Sequence, residues 1–183
     1  MVQKKLETER LILRKVTVED TYQAFENWCN NDKFDKYVLW KKHENVGVTL
    51  ELYESWVKDY EDLKTFRWIV EIKDTGELIG TIDVSKRYIK FGSCVIGYCY
   101  GNKYWNRGYA TEALKSVIKF LFEECGASIV SAEFMENNPA SGMVMKKAGM
   151  KYEGRLRSRV IDKENKRNDL LYYSITKEEW FDN

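Results

Sequence analysis

The segment Tyr104-Trp105-Asn106-Arg107-Gly108-Tyr109-Ala110-Thr111-Glu112-Ala113 is a turn of small and polar residues between a strand-like apolar run and a strongly amphipathic one. Such a turn can hold an anion. Arg107, Gly108, Tyr109 and Ala110 fall in the first turn of a helix or in the loop leading into it, where backbone N–H groups have no intrahelical partner. The partial positive charge of a helix start adds to them. Gly108 removes the side chain that would block close approach and permits a positive φ.

Other chemistries have less to work with. A nucleotide-hydrolase phosphate loop needs a Gly-Lys-Ser/Thr ending and a dinucleotide fold needs three spaced glycines near its first strand; neither pattern is present. Cys29, Cys94, Cys99 and Cys125 show no paired spacing and His43 is the only histidine, so no metal site is expected. The cysteines read as small buried hydrophobes rather than nucleophiles. A Cys-His pair would have to use His43, in the polar stretch from Lys41 to Asn45.

At 183 residues the chain suits a single domain, residues 1–183, with one core. Thirty basic residues against twenty-nine acidic ones leave a charge of +1, which asks for neither a nucleic acid nor an anionic membrane. The expected partner is a small molecule or a protein, with the chain a monomer or homodimer. No apolar run approaches the ~20 residues that span a bilayer, and the first ten residues are polar, so a soluble cytoplasmic protein is expected.

Alternation predicts an opening strand over 10–16, then a helix with Thr17 as N-cap, Asp20 completing an approximate capping box, and Tyr22, Phe25 and Trp28 at helical spacing. A second helix is predicted over 48–63, carrying Leu52, Trp56 and Tyr60. Phe66 to Ile72, the Asp74-Thr75-Gly76 turn and Leu78 to Val84 read as a hairpin, and a third strand runs over 93–100. Gly97 inside that strand marks a bulge or a close approach.

Ala110, Ala113, Leu114, Val117, Ile118, Leu121 and Phe122 form one helical face, with Gly126 just past its end and a strand over 129–134 beyond. Asn138 and Pro139 open a shorter helix. Strands over 152–161 and 170–175, joined by the charged turn 162–168, close the chain.

A meander, a phosphate-type turn and a crossover helix lead to a family. Tyr104 to Ala113 closely resembles the coenzyme A pyrophosphate loop of the GNAT acetyltransferase superfamily. Glu9-Arg10-Leu11-Ile12-Leu13-Arg14, Ile96-Gly97-Tyr98, Asn138-Pro139-Ala140-Ser141, Lys147-Ala148-Gly149-Met150 and the strand 169–175 with Tyr173 agree with it along nearly the whole chain. The order is most similar to the branch holding Rim-type ribosomal-protein N-terminal acetyltransferases and many small-amine acetyltransferases. The resemblance implies an α/β (α+β) GNAT fold, a mixed and mostly antiparallel sheet splayed at its middle and flanked by helices. It also implies acetyl-coenzyme A as co-substrate and an amine acceptor, without a metal.

By that resemblance Tyr98, Cys99 and Tyr100 present main-chain groups to the pantetheine arm and one N–H to the developing oxyanion. Asn106, Arg107, Gly108, Tyr109 and Ala110 receive the pyrophosphate, the Arg107 side chain lying beside it or simply exposed in the first turn, and Lys147, with Lys146 beside it, supports the phosphates or is simply solvated. Ser141 matches the hydroxyl that hydrogen-bonds the departing thiolate, and Asn138 either caps its helix or reaches the pantetheine. Trp105 is expected to pack as core, and Glu112 to do no more than favour a helix start.

Where many relatives carry a glutamate before the Ile-Gly-Tyr segment, this chain has Val95. Asp83 and Glu133 are the candidate replacement bases, each acting through a water chain, with an outward-facing strand carboxylate the favoured reading of both. A weak base favours an α-amine, of which about a tenth is neutral at pH 7, over a lysine, of which well under about a thousandth is. An N-terminal α-amine is therefore the expected acceptor. The alternatives are a polyamine, amino sugar or amino acid, or a module that binds acyl-coenzyme A without turnover. The region 18–63 and the terminal hairpin would line the acceptor pocket, with Trp28, Tyr37, Trp40, Tyr53 and Trp56 equally at home in the core.

Overall fold

A computed structural model describes residues 3–35, 38–61 and 65–182. Its contacts group into two compact units, one of residues 1–83 and 98–113 and the other of 84–97 and 114–183. The strands are β1 (Leu6–Glu7), β2 (Leu11–Arg14), β3 (Arg67–Ile72), β4 (Leu78–Tyr88), β5 (Ser93–Tyr100), β6 (Ile129–Met135), β7 (Lys151–Ile161) and β8 (Arg167–Thr176). They follow the order β1-β2-β3-β4-β5-β6-β8-β7. The architecture is the expected mixed α/β one, mostly antiparallel, with β5 and β6 parallel.

In the first unit the opening strand is shorter than its apolar alternation, because Lys15 to Thr17 already turn toward a helix. Asp20 reaches back to the Thr17 N–H at 2.8 Å, closing the expected capping box from one side, and Arg14 grips Asp20 at 2.7 and 2.9 Å. A 3-10 turn (Val18–Asp20), α1 (Thr21–Ala24) and a π turn (Phe25–Cys29) follow without a break. The wider π turn rotates the helical face, so Trp28 is buried while Tyr22, expected on the same side, is exposed.

The short α2 (Asp32–Asp35), not anticipated, comes next. α3 (Val46–Asp59) starts two residues before the expected point because Asn45 is its N-cap, its side chain accepting from the Val48 N–H at 3.3 Å. The expected end at Leu63, like the aromatic Tyr37, lies outside the described residues. Tyr53 of α3 packs with Trp28, Cys29, Ile69 and Leu78 in a buried cluster.

The β3–β4 hairpin forms as predicted, but its register shifts between Val70 and Glu71. Glu71 faces Leu78 and Val70 faces Gly80, which leaves Ile79 as an extra residue on β4. Gly80 follows at a place only glycine can fill: a Cβ there would stand 2.2 Å from the Cys99 carbonyl oxygen. This close approach was not read from the sequence, which pointed to Gly97.

In the second unit β5 runs parallel to β6 with Ser93 opposite Ile129 and Ile96 opposite Ala132. α4 (Tyr109–Glu123), which opens in the first unit, buries the predicted face from Ala113 through Leu114, Val117, Ile118 and Leu121 to Phe122, while Ala110 at its start is half-buried. α5 (Pro139–Lys147) lies between β6 and β7, and its Gly142 is buried where a Cβ would meet the Phe134 ring at 2.5 Å. The final hairpin is longer than predicted on both strands, and α6 (Lys177–Phe181) follows it behind a Thr176–Glu179 capping box. Among the described residues no helix is long and apolar enough to cross a membrane.

Candidate functional site

In the first unit, β5 delivers Tyr98, Cys99 and Tyr100 to a 3-10 turn (Asn102–Tyr104) and then to the predicted loop. Tyr104 is buried and its hydroxyl donates to Glu77 at 2.7 Å, which anchors the near side of the loop. Trp105 through Gly108 are exposed. Two of these four adopt left-handed backbone: Asn106 at φ 61° and Gly108 at φ 83°. Asparagine and glycine tolerate that region best, which explains both residue types. Tyr109 and Ala110 open α4, and the Glu112 N–H closes the first turn onto the Gly108 carbonyl at 3.0 Å.

Trp105 does not join the core as expected. It is 37% exposed, and its indole N–H donates to the Tyr100 carbonyl at 2.7 Å, holding the chain reversal between strand and loop. Glu112 is also more than a favourable first-turn charge: it accepts hydrogen bonds from Thr8 and Arg10, more than a hundred residues earlier. Burial by itself would raise its carboxyl; those bonds outweigh burial and hold it below the usual range.

Asp83 lies on β4 opposite Arg67, with Arg67 Nε 3.8 Å from its carboxylate. Burial pushes the Asp83 carboxyl up to about 6, and the Arg67 charge only partly opposes this. Its side chain keeps 30% of its surface, so a proton can still be exchanged. Cys99 sits beside Thr81, Sγ to Oγ1 3.1 Å, and burial pushes its thiol up to about 11, consistent with a small packing residue. The Tyr53 and Tyr100 hydroxyls are buried without a hydrogen-bond partner among the described residues.

His43 is also buried, with Nδ1 2.7 Å from Thr49 Oγ1; burial lowers its pKa and favours the neutral ring. That bond goes to a threonine, and burial drives the Cys29 thiol far up, so the geometry supplies no activated thiolate. Among the described residues no cluster of three or more His, Cys, Asp and Glu is placed to hold a metal.

In the second unit Asn138 occupies the N-cap position of α5, but its side chain makes no capping bond. Its amide donates instead to Ser141 Oγ at 3.1 Å, which joins two of the predicted residues to each other. Ser141 is half-buried, whereas Lys146 and Lys147 are exposed in the last turn of the helix. Glu133 is half-buried on β6, opposite Tyr172 of β8.

Sequence reasoning overlooked Thr8 and Arg10 as loop partners and Gly80 as a close-approach residue. Spacing offered no signal for them, since each acts on a residue from a distant part of the chain.

The chain as a whole is similar to known proteins. The acetyltransferase (GNAT) domain family matches residues 10–151. A Bacillus subtilis (strain 168) protein named uncharacterized N-acetyltransferase YoaA is 31% identical over 172 residues, 94% of this chain and 96% of the relative. The Escherichia coli (strain K12) ribosomal protein uS5-alanine N-acetyltransferase is 25% identical over 159 residues, 82% of this chain and 79% of its own. The crystal structure of a GNAT-family acetyltransferase from Bacillus anthracis superposes with a TM-score of 0.83 at 25% identity, covering 96% of this chain and 99% of that one.

Proposed function

The chain belongs to the acetyltransferase (GNAT) domain family, and we propose that the amine it acetylates is the α-amine at the N-terminus of a protein or peptide. Its activity is N-acetyl transfer from acetyl-coenzyme A. The loop 105–110 suits the pyrophosphate of that co-substrate: an exposed turn, two left-handed residues and a helix start leave backbone N–H groups for an anion. When bound, acetyl-coenzyme A supplies an acetyl thioester activated toward amines.

The observation that carries the acceptor assignment is the Asp83 carboxyl, raised by burial to about 6. A base at about 6 takes a proton from an α-ammonium at about 8 for roughly 2.5 kcal/mol, but from a lysine ammonium near about 10.4 for roughly 6 kcal/mol. Both gaps fit within an ordinary enzymatic barrier, but the second uses about 3.5 kcal/mol more of it unless the site also lowers the lysine pKa, which favours the α-amine. The relative from Escherichia coli, named for a ribosomal-protein alanine, supports an N-terminal acceptor.

In this reading Asp83 accepts the ammonium proton, directly or through water, and the freed amine attacks the thioester carbonyl. A main-chain N–H of Tyr98 to Tyr100 stabilises the oxygen as charge develops. The new C–N bond replaces the C–S bond, the second proton of the nitrogen passes to the departing sulfur, and Ser141 Oγ, oriented by Asn138, donates a hydrogen bond to that sulfur as its negative charge develops. Arg107, Gly108, Tyr109 and Ala110 hold the pyrophosphate, Asn106 shapes the turn, and Lys147 adds a favourable charge. Glu133 is the second candidate base.

Thiol release from acetyl-coenzyme A tests the assignment against three acceptors: peptides with free N-termini, the same peptides blocked at the N-terminus but carrying lysine, and polyamines. Release with the first alone is expected. Release only with polyamines or other small amines overturns the acceptor, and binding of acetyl-coenzyme A without release on any acceptor makes the protein a sensor.

A further inference from the structure

One side chain from the start of the chain reaches four residues of the loop and its helix. Glu112 Oε1 accepts from Thr8 Oγ1 at 2.6 Å and from the Arg10 backbone N–H at 2.9 Å. Glu112 Oε2 accepts from Arg10 Nε at 2.7 Å and lies 2.6 Å from Nη2. The remaining nitrogen, Nη1, donates to the Arg107 carbonyl at 3.0 Å. The guanidinium carbon stands 4.6 Å from the centre of the Tyr109 ring, and a Cβ on Gly108 would come within 3.2 Å of Nη2.

We infer that Arg10, locked by Glu112, is a positioning residue for the coenzyme A loop; the inference rests on the reading of residues 105–110 as the pyrophosphate site. The Arg107 carbonyl and the Gly108 N–H belong to one planar trans peptide, so they point in opposite directions. Fixing the carbonyl on Arg10 turns the Gly108 N–H away from Arg10 and keeps the Arg107 oxygen from facing an incoming phosphate. The φ of 83° at Gly108 makes this orientation accessible, and the absent Cβ leaves room for the guanidinium.

Electrostatics act in the same direction. A bare carboxylate in the first turn of α4 would repel a pyrophosphate bound there, and Arg10 neutralises Glu112 through a two-pronged pair. A lysine at position 10 would keep the charge but could not bond Glu112 and the Arg107 carbonyl with the same fork. Thr8 holds the same carboxylate without any charge of its own.

The test measures coenzyme A binding by calorimetry and steady-state kinetics on the full chain and on Arg10→Ala, Arg10→Lys and Thr8→Ala. Binding of coenzyme A is expected to weaken about thirtyfold in Arg10→Ala, about tenfold in Arg10→Lys and about threefold in Thr8→Ala, with KM for acetyl-coenzyme A rising in step. The kcat at saturating acetyl-coenzyme A is expected to stay within about threefold of the parent. In Arg10→Ala/Glu112→Gln the repulsive charge is gone but the orientation is not restored, so part of the loss should return. Failure of the parent protein to bind coenzyme A sinks the loop reading itself. Parent-like binding in Arg10→Ala, or a fall in kcat with binding unchanged, overturns the positioning role alone. If Arg10→Ala does not fold, Arg10→Lys decides, and parent-like binding there overturns the inference.

Discussion

The starts of α4 and α5 solve the same problem by different means. At α4 the exposed loop has left-handed backbone at Asn106 and Gly108, and Arg10 bonds its Arg107 carbonyl and, together with Thr8, Glu112 of the helix, 97 to 104 residues away in sequence. At α5 the predicted residues are three apart and hold each other, through Asn138 Nδ2 and Ser141 Oγ. A site that presents backbone N–H groups must have its peptide planes fixed from outside, because a short loop has too few contacts of its own. A site that presents one hydroxyl needs only a neighbour to orient it. The two units also differ in their carboxylates: Asp83 is shifted by burial to about 6 opposite an arginine, while Glu133 faces Tyr172 on a strand.

The largest expected effect separates the two helices themselves. Leu121→Ala, in the fully buried face of α4, should lower unfolding stability by about 2–5 kcal/mol in denaturant titrations. Met143→Ala on the exposed side of α5 should stay within about 0.5 kcal/mol. Equal losses would erase the contrast between a deeply packed helix and a shallow one.

Next in size is the contrast between carboxylates. Asp83→Asn should lower kcat/KM about a hundredfold and remove an acid limb centred near pH 6, whereas Glu133→Gln should leave that limb in place. Because the folded pKa of Asp83 lies above its ordinary 3.8, burial favours the protonated carboxyl. Its stabilising contribution is fully present below about 3.8 and lost as pH rises through about 6. Asp83→Asn should therefore gain stability relative to the parent at pH 8 compared with pH 4, read from melting temperatures. A parent pH profile that is flat between 5 and 7 would remove Asp83 as the base.

Smaller effects distinguish the two helix starts. Gly108→Ala forces an L side chain to φ 83° against Arg10, which costs about 1–2 kcal/mol. It should weaken coenzyme A binding roughly tenfold with kcat little changed. Ser141→Ala should do the reverse, lowering kcat severalfold while coenzyme A binding holds, and Asn138→Ala should reproduce about half of that effect by freeing the hydroxyl. If Ser141→Ala changes neither constant, the start of α5 is a structural cap alone.

The periodic features of the fold were legible in the chain. The apolar face from Ala113 to Phe122 is buried as its 3.6-residue spacing requires, the β3–β4 hairpin follows its Asp-Thr-Gly turn, and the loop 104–113 sits where a strand meets a helix. Boundaries set by caps and by strand pairing were less legible. Asn45 starts α3 early, and β4 continues through the polar residues Ser85 to Tyr88 with no alternation to mark it. The π turn at Phe25–Cys29, which sends Tyr22 to the surface, has no sequence spacing that announces it.

Local sequence determined the periodic elements, the place of the loop 105–110 between strand and helix, and the family, because periodicity, turn residues and a contiguous motif are all encoded within a few positions. Tertiary structure decided what holds the loop, where the close approach of β4 and β5 falls, and which carboxylate is tuned. Those depend on pairs such as Arg10 with Glu112, Gly80 with Cys99 and Asp83 with Arg67, whose distances and burial come into being only when remote segments pack together.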